Sequence, residues 1–343
     1  MIKEIGSEFW DDGPVRRDKV YLLCGRTALE YIICDIVKHY KVNSVLLPSY
    51  CCHTMIEPFY RHNIPVRFYD IYFDETNGLS AKVPEVQEKE IFYYMTYFGF
   101  NQLRGIDLQK VKKNCTVLIE DRTHSWMSEN TGCGADYSYI SYRKWTGFDA
   151  IALASKERGT FSEFPKAVHA EYSRMRRQAS SMKRRYIYSD TGKKQSFLEL
   201  FGKAEELLEM DYAGYQPTSE TMAALLKLDI TYIAKTRRRN ARFLIDALKN
   251  VPEIQLMFQK MEDKEVPLFV PILVRKDREK LRKYLIDNSI YCPIHWPQSI
   301  YHKGLSDRTE GLYERELSLV CDQRYDLDDM ERIIKHIKNY NKR

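Results

Sequence analysis

The sequence predicts an α/β protein: a large domain over residues 1–250 built on a mostly parallel sheet, and a smaller α+β domain over residues 251–343. Three observations carry this. Short β-rich runs alternate with helix-like segments through the first half, the pattern of a parallel sheet covered by helices. A length of 343 residues exceeds one ordinary core. After Val251-Pro252 the pattern changes to strands, a helix, a further strand and a final helix.

The elements follow in order. Ala28, Leu29, Ile32, Ile33, Ile36 and Val37 recur at helical spacing, so a helix over 26–40 opens directly after Gly25. Strands are expected at 44–47, 66–71, 91–97, 116–119, 137–141 and 150–154, with helices at 55–62 and 107–112. Residues 165–185, 196–209 and 219–250 are helix-rich, the last carrying Leu225, Leu228, Ile233, Phe243, Leu244 and Leu248. The second domain reads as strands at 254–258 and 267–274, a helix at 276–287, a strand at 290–294 and a helix at 327–340. Sheets of this kind bind ligands beyond the carboxyl ends of their strands.

Composition excludes several classes. At 44% hydrophobic and 30% charged residues the chain is ordinary for a globular protein, and no apolar run approaches the roughly 20 residues of a membrane helix. Residues 1–8 contain acidic side chains where a secretory signal needs an apolar stretch, so the cytoplasm is the expected location. The eight cysteines lack the paired spacing of a zinc site and read as reduced thiols, with no metal expected. Residues 174–194 hold eight Lys or Arg. A run of this kind is first a solvated helix face, second a polyanion contact; without a nucleic-acid-binding pattern, nucleic acid is not an expected partner.

The strand ending at residue 119 leads into Glu120-Asp121-Arg-Thr-His124-Ser125, and Ser141-Tyr-Arg-Lys144-Trp145 follows the next strand. A carboxylate at a strand end and a lysine just past the following strand are what pyridoxal 5'-phosphate requires, for its pyridinium nitrogen and its Schiff base. Asp121 and Lys144 are the candidates. Lys144 would also move protons, which calls for a neutral amine favoured by burial and nearby positive charge such as Arg143. Gly25-Arg26-Thr27 opens the first helix, where unpaired N–H groups and the helix dipole favour a phosphate.

In motif order the chain resembles the DegT/DnrJ/EryC1/StrS-type sugar aminotransferases, a family of fold-type-I pyridoxal-phosphate enzymes. The motifs are Gly25 to Leu29, Val45 to Thr54 with Pro48, Thr96 to Gly99, Glu120 to Ser125, Ser141 to Trp145, Pro293-Ile-His295-Trp-Pro297, and Leu317 to Tyr325. The resemblance implies a fold-type-I transferase fold and Lys144, Asp121 and His124 at the reacting centre. It places Gly25, Arg26, Thr27, Cys52, His53 and Ser141 around the cofactor, and His295, Arg324 and Tyr325 at the substrate mouth. It further implies a nucleotide-linked keto-sugar substrate, glutamate as amino donor, and a homodimer.

Three departures accompany the resemblance. Where relatives stack an aromatic ring on the cofactor, this chain offers Cys52 or His53, with Tyr50 as an alternative. The interface motif ahead of Ala223 reads Tyr215-Gln216-Pro217, and the glycine-rich segment after the lysine reads Thr-Gly-Phe-Asp-Ala-Ile-Ala. Two further readings therefore stand beside the aminotransferase: a lyase or dehydratase of the same fold, in which known members replace the lysine by histidine, and a family member that binds a nucleotide sugar or partner without turnover.

Overall fold

A computed structural model of the chain describes residues 18–129, 134–165, 167–189 and 191–340. The reading of residues 1–8 as lacking a signal, and Cys133, lie outside the described residues. The first part contains β1 (Lys19–Leu22), α1 (Gly25–His39), β2 (Ser44–Pro48), α2 (His53–Arg61), β3 (Val66–Asp74), β4 (Gly78–Lys82), β5 (Glu90–Met95), α3 (Leu108–Asn114), β6 (Val117–Asp121), β7 (Tyr137–Ser141) and β8 (Ala152–Lys156). Then come β9 (Ala167–Val168), α4 (Ala170–Ser189), α5 (Lys194–Met210), β10 (Tyr215–Gln216), α6 (Ser219–Leu226) and α7 (Ile230–Leu248). The last part holds β11 (Ile254–Leu256), β12 (Val270–Val274), α8 (Arg278–Asp287), α9 (Asp307–Arg315), β13 (Glu316–Leu319) and α10 (Leu327–Asn339).

The main sheet runs β1-β8-β7-β6-β5-β2-β3-β4. Its centre, β7-β6-β5-β2-β3, is parallel throughout, and the pairs β1–β8, β8–β7 and β3–β4 are antiparallel. Two antiparallel steps return β1 to the direction of β7, so Leu22 and Ser141 end at the same edge and α1 starts beside the end of β7. The fully buried patterns of β2 and β6 explain their near-continuous apolar sequences, since both faces are covered. A separate antiparallel sheet, β11-β12-β13, carries the C-terminal part, and its buried residues join one continuous core with those of the large sheet.

The structure corrects the expected elements in several places. Residues 290–294 are not a strand: Pro293 has no N–H to give a ladder, and only its carbonyl is used, accepting from Ser318 N–H at 3.0 Å. The third strand of that sheet is instead β13, behind the unexpected helix α9. The helix expected over 219–250 breaks into α6 and α7 because Asp229 caps α7, its side chain accepting the Tyr232 N–H. β4, poor in β-formers, exists because Asp74 closes a tight turn by accepting the Thr76 and Asn77 N–H groups. Gly99 permits the close crossing after β5: at φ +88° an added Cβ would fall 2.2 Å from the Val266 carbonyl oxygen. Among the described residues no helix is long and apolar enough to cross a membrane.

Candidate active site

Asp121 closes β6, paired across to Met95 of β5 and Tyr139 of β7. It is buried, and both oxygens are engaged: Oδ2 accepts the Tyr93 and Tyr139 hydroxyls at 2.9 and 2.8 Å, and Oδ1 accepts the Thr123 N–H at 2.8 Å. Burial raises its pKa, against the pull of these donors. Beyond Ser141 a single 3₁₀ turn, Tyr142–Lys144, reverses the chain. Trp145 anchors the turn: its indole N–H donates to the Thr123 carbonyl at 2.6 Å and the Arg237 guanidinium lies 4.8 Å from its ring centre.

Lys144 is solvent-exposed but lines a cavity of about 200 Å³, whose walls desolvate its amine. Its pKa is lowered, by this desolvation of the amine first and by the Arg143 guanidinium second. Arg143 is held by Glu205 at 2.9 Å. His124 sits behind the amine, stacked on Trp296 with ring centres 5.4 Å apart. Its Nδ1 accepts the Phe98 N–H, which leaves the proton on Nε2, and burial followed by the charge of Lys144 brings its pKa down to about 3. His124 is therefore a neutral group near pH 7.

The opposite wall is the N-terminus of α1. Cys24 caps it without a side-chain hydrogen bond and the first turn holds no acidic residue. Gly25 lets this turn approach β7: an added Cβ would meet Ser141 Cβ at 3.1 Å. Arg26 is buried and pairs with Glu209 of α5 through both guanidinium nitrogens, at 2.8 and 2.5 Å, and with Glu57 at 3.4 Å. Cys52 and His53, at the start of α2, complete the wall with Thr54 and Met55. Burial pushes the Cys52 thiol up, but hydrogen bonds with His53 and Thr54 outweigh this and bring it to about 7.

Solved structures share this architecture. DesV of S. venezuelae, in complex with a ketimine intermediate, superposes with a TM-score of 0.64 over 95% of this chain and 85% of its own, at 14% identity. The putative sugar aminotransferase Spr1654 of Streptococcus pneumoniae, in its PLP-form, gives 0.64 over 94% and 86%, also at 14%. A variant of GDP-4-keto-6-deoxymannose-3-dehydratase (ColD) with bound GDP-perosamine gives 0.62 over 94% and 89%, at 15%. No curated protein matches by sequence. Residues 194–338 match the model of the DegT/DnrJ/EryC1/StrS aminotransferase family. The chain's fold is the mixed α/β fold of the fold-type-I aminotransferases. The matched segment begins after Lys144, so the candidate site residues before it stand on the geometry above.

Of the residues expected from the sequence, Asp121, His124, Ser141, Lys144, Gly25, Arg26, Cys52 and His53 share the cavity wall. Four do not. The Thr27 hydroxyl is buried and donates to the Tyr212 carbonyl at 2.7 Å, facing the α5 side rather than the cavity. His295 lies one layer back, its ring against His124 and Trp296 and its Nδ1 2.9 Å from Ser318 Oγ. Arg324 is folded onto Asp322 at 2.7 Å and over Tyr325, and neither lines the cavity. Tyr50, the alternative stacking ring, is fully buried, with its hydroxyl donating to the His295 carbonyl. The sequence reading missed Glu205 and Glu209. Their four-residue spacing put them on one face of α5, but nothing local says which face meets Arg26 and Arg143.

The wall suits pyridoxal phosphate in its chemistry. It combines an amine of lowered pKa, a buried carboxylate at a strand end, and an uncapped helix N-terminus narrowed by glycine. Glu209 is the one opposing group, since it holds Arg26 in a bidentate pair at the corner a phosphate would use. Exchange of that carboxylate for a phosphate keeps Arg26 paired, which makes the donor set compatible.

Proposed function

We propose that the protein is a pyridoxal-phosphate-dependent aminotransferase acting on a nucleotide-linked keto-sugar, in surface-polysaccharide or secondary-metabolite sugar biosynthesis. The observation that supports it most is the convergence of Lys144, Asp121 and the α1 N-terminus on one cavity in a chain whose residues 194–338 match this family's model. Bound pyridoxal phosphate supplies an electron sink at the carbon of the amino donor. Lys144 would hold the cofactor through Nζ, and that amine would move the proton of the reaction, a role its lowered pKa favours. Asp121 supplies the carboxylate for the ring nitrogen. Gly25, Arg26 and Ser141 receive the phosphate. Neutral His124 donates from Nε2, and its stack on Trp296 fixes the ring.

A volume of about 200 Å³ is below the usual range of roughly 300–1,000 Å³ for ligand pockets, so the nucleotide is held outside it. In this reading residues 1–250 carry the cofactor and residues 251–343 flank the mouth. A second subunit in a homodimer supplies the remaining contacts, glutamate is the donor, and the enzyme works in the cytoplasm. The retained Lys144 argues against the dehydratase reading, in which histidine takes its place. The altered interface motif at Tyr215-Gln216-Pro217 and the altered segment after Lys144 favour the reading without turnover. Absorbance separates them. A bound-cofactor band in the visible that glutamate bleaches and a keto-sugar nucleotide restores supports the aminotransferase. A band unmoved by amino donors, or no band after incubation with pyridoxal phosphate, rejects it.

A further inference from the structure

Away from the cavity, α1 and α2 bring three metal-ligating side chains together. Glu30 and Cys34 lie one turn apart on α1, the spacing that sets two side chains on one face, and His62 caps the end of α2. His62 Nε2 is 2.7 Å from Glu30 Oε1 and 3.8 Å from Cys34 Sγ, and one ligand atom from each residue lies within 4.8 Å of the others. Tetrahedral zinc with Zn–S near 2.3 Å and Zn–N near 2.05 Å keeps its sulfur and nitrogen about 3.6 Å apart, and its nitrogen and oxygen about 3.3 Å. The thiol and imidazole already stand at nearly that separation, and rotation of the carboxylate supplies the rest.

A second observation points to a ligand. Glu30 is 9% exposed, yet its Oε2 is buried with no hydrogen-bond partner. An unpaired buried carboxylate oxygen is costly and a cation relieves it. Glu30 and Cys34 also line a second cavity of about 180 Å³, with room for a further ligand. Among the described residues around it, Lys38 pairs with Glu163, Lys156 with Asp35, and Arg61 lies 4.8 Å over the Tyr212 ring.

We propose that Glu30, Cys34 and His62 form a three-ligand site for a divalent cation of the zinc class, with its fourth position open to the second cavity. A thiolate and an imidazole select such an ion over magnesium or calcium. Bound there, it fixes α1 to α2, the two helices whose N-termini wall the Lys144 cavity.

The test is a titration of the full-length, cofactor-bound protein with Zn²⁺ against a chromophoric chelator. It is joined by mass-spectrometric mapping of iodoacetamide labelling with and without Zn²⁺. One bound equivalent, weakened at least roughly tenfold by Cys34→Ser and by His62→Gln, with Cys34 the protected thiol, is the expected result. Absence of a bound equivalent overturns the proposal. So does equal binding by both variants, or protection falling on Cys52 instead. Should either variant fail to fold, the labelling of the unaltered protein decides.

Discussion

Asp121 and Glu316 are both buried carboxylates, one ending β6 of the large sheet and one opening β13 of the small one, yet they face different fates. Asp121 accepts three hydrogen bonds and opens onto a cavity where a cation can arrive. Glu316 accepts the His295 N–H at 2.6 Å and the Ser318 hydroxyl at 2.5 Å, and burial pushes its pKa up to about 8. It therefore carries a proton at neutral pH and can donate to Ser318, whose hydroxyl then turns to His295 Nδ1. The comparison teaches that burial alone makes a carboxylate a neutral polar group. At Asp121 the Thr123, Tyr139 and Tyr93 donors pull against that effect, and the cavity leaves room for a cation to arrive.

The sharpest way to break this contrast is to remove the amine from the cavity that Asp121 faces. Lys144→Ala is expected to lower kcat/KM by about 10⁴-fold or more, roughly 5.4 kcal/mol, with the fold intact by circular dichroism. Turnover within tenfold of the unaltered protein would remove Lys144 from the reaction.

Glu316 tests the other side through pH. Its folded pKa lies above the unfolded value of about 4.3, so its contribution to stability is present below that value and is lost as pH rises to about 8. Glu316→Gln, which copies the protonated form, should cancel this decline. Denaturant unfolding should show the variant gaining on the parent by roughly 3–5 kcal/mol between pH 4.5 and 8. Parallel curves would mean that Glu316 is ionised in the fold.

Asp121→Asn retains shape but not charge, and should slow turnover by about 10²–10³-fold, roughly 2.7–4 kcal/mol, while the protein still binds the cofactor by equilibrium dialysis. Parental kcat in this variant would make Asp121 an ordinary strand-end polar group, like Glu316. The smallest effect belongs to Arg324→Ala. Because Arg324 is already paired with Asp322 away from the cavity, its loss should weaken inhibition by UDP- or dTDP-type nucleotides by less than about tenfold, or 1.4 kcal/mol. A larger loss in a competition assay would bring Arg324 to the substrate mouth.

Much of the site was legible because its parts are local. Asp121 and Lys144 each follow an apolar run, and the parallel pairing of β6 with β7 carries those ends to one edge of the sheet; the Gly25 turn was legible as the opening of a helix and reaches the same edge through β1 and two antiparallel steps. The fold class was legible for the same reason, through the alternation of strand and helix patterns. β13 and α9 were not, since β13 exists by pairing with β12 and the patterns around it are short.

What the sequence determined by itself was the chain order of the parallel strands and the residue types waiting at their ends, because hydrophobic period and strand-end chemistry are properties of neighbours in the chain. The tertiary structure alone decided which residues became walls. It buried Tyr50, set Thr27 against Tyr212, brought Glu205 and Glu209 onto Arg143 and Arg26, and left Glu30 Oε2 without a partner. Each of these depends on contacts between segments far apart in the chain, where packing and electrostatics act across space and local sequence carries no record of them.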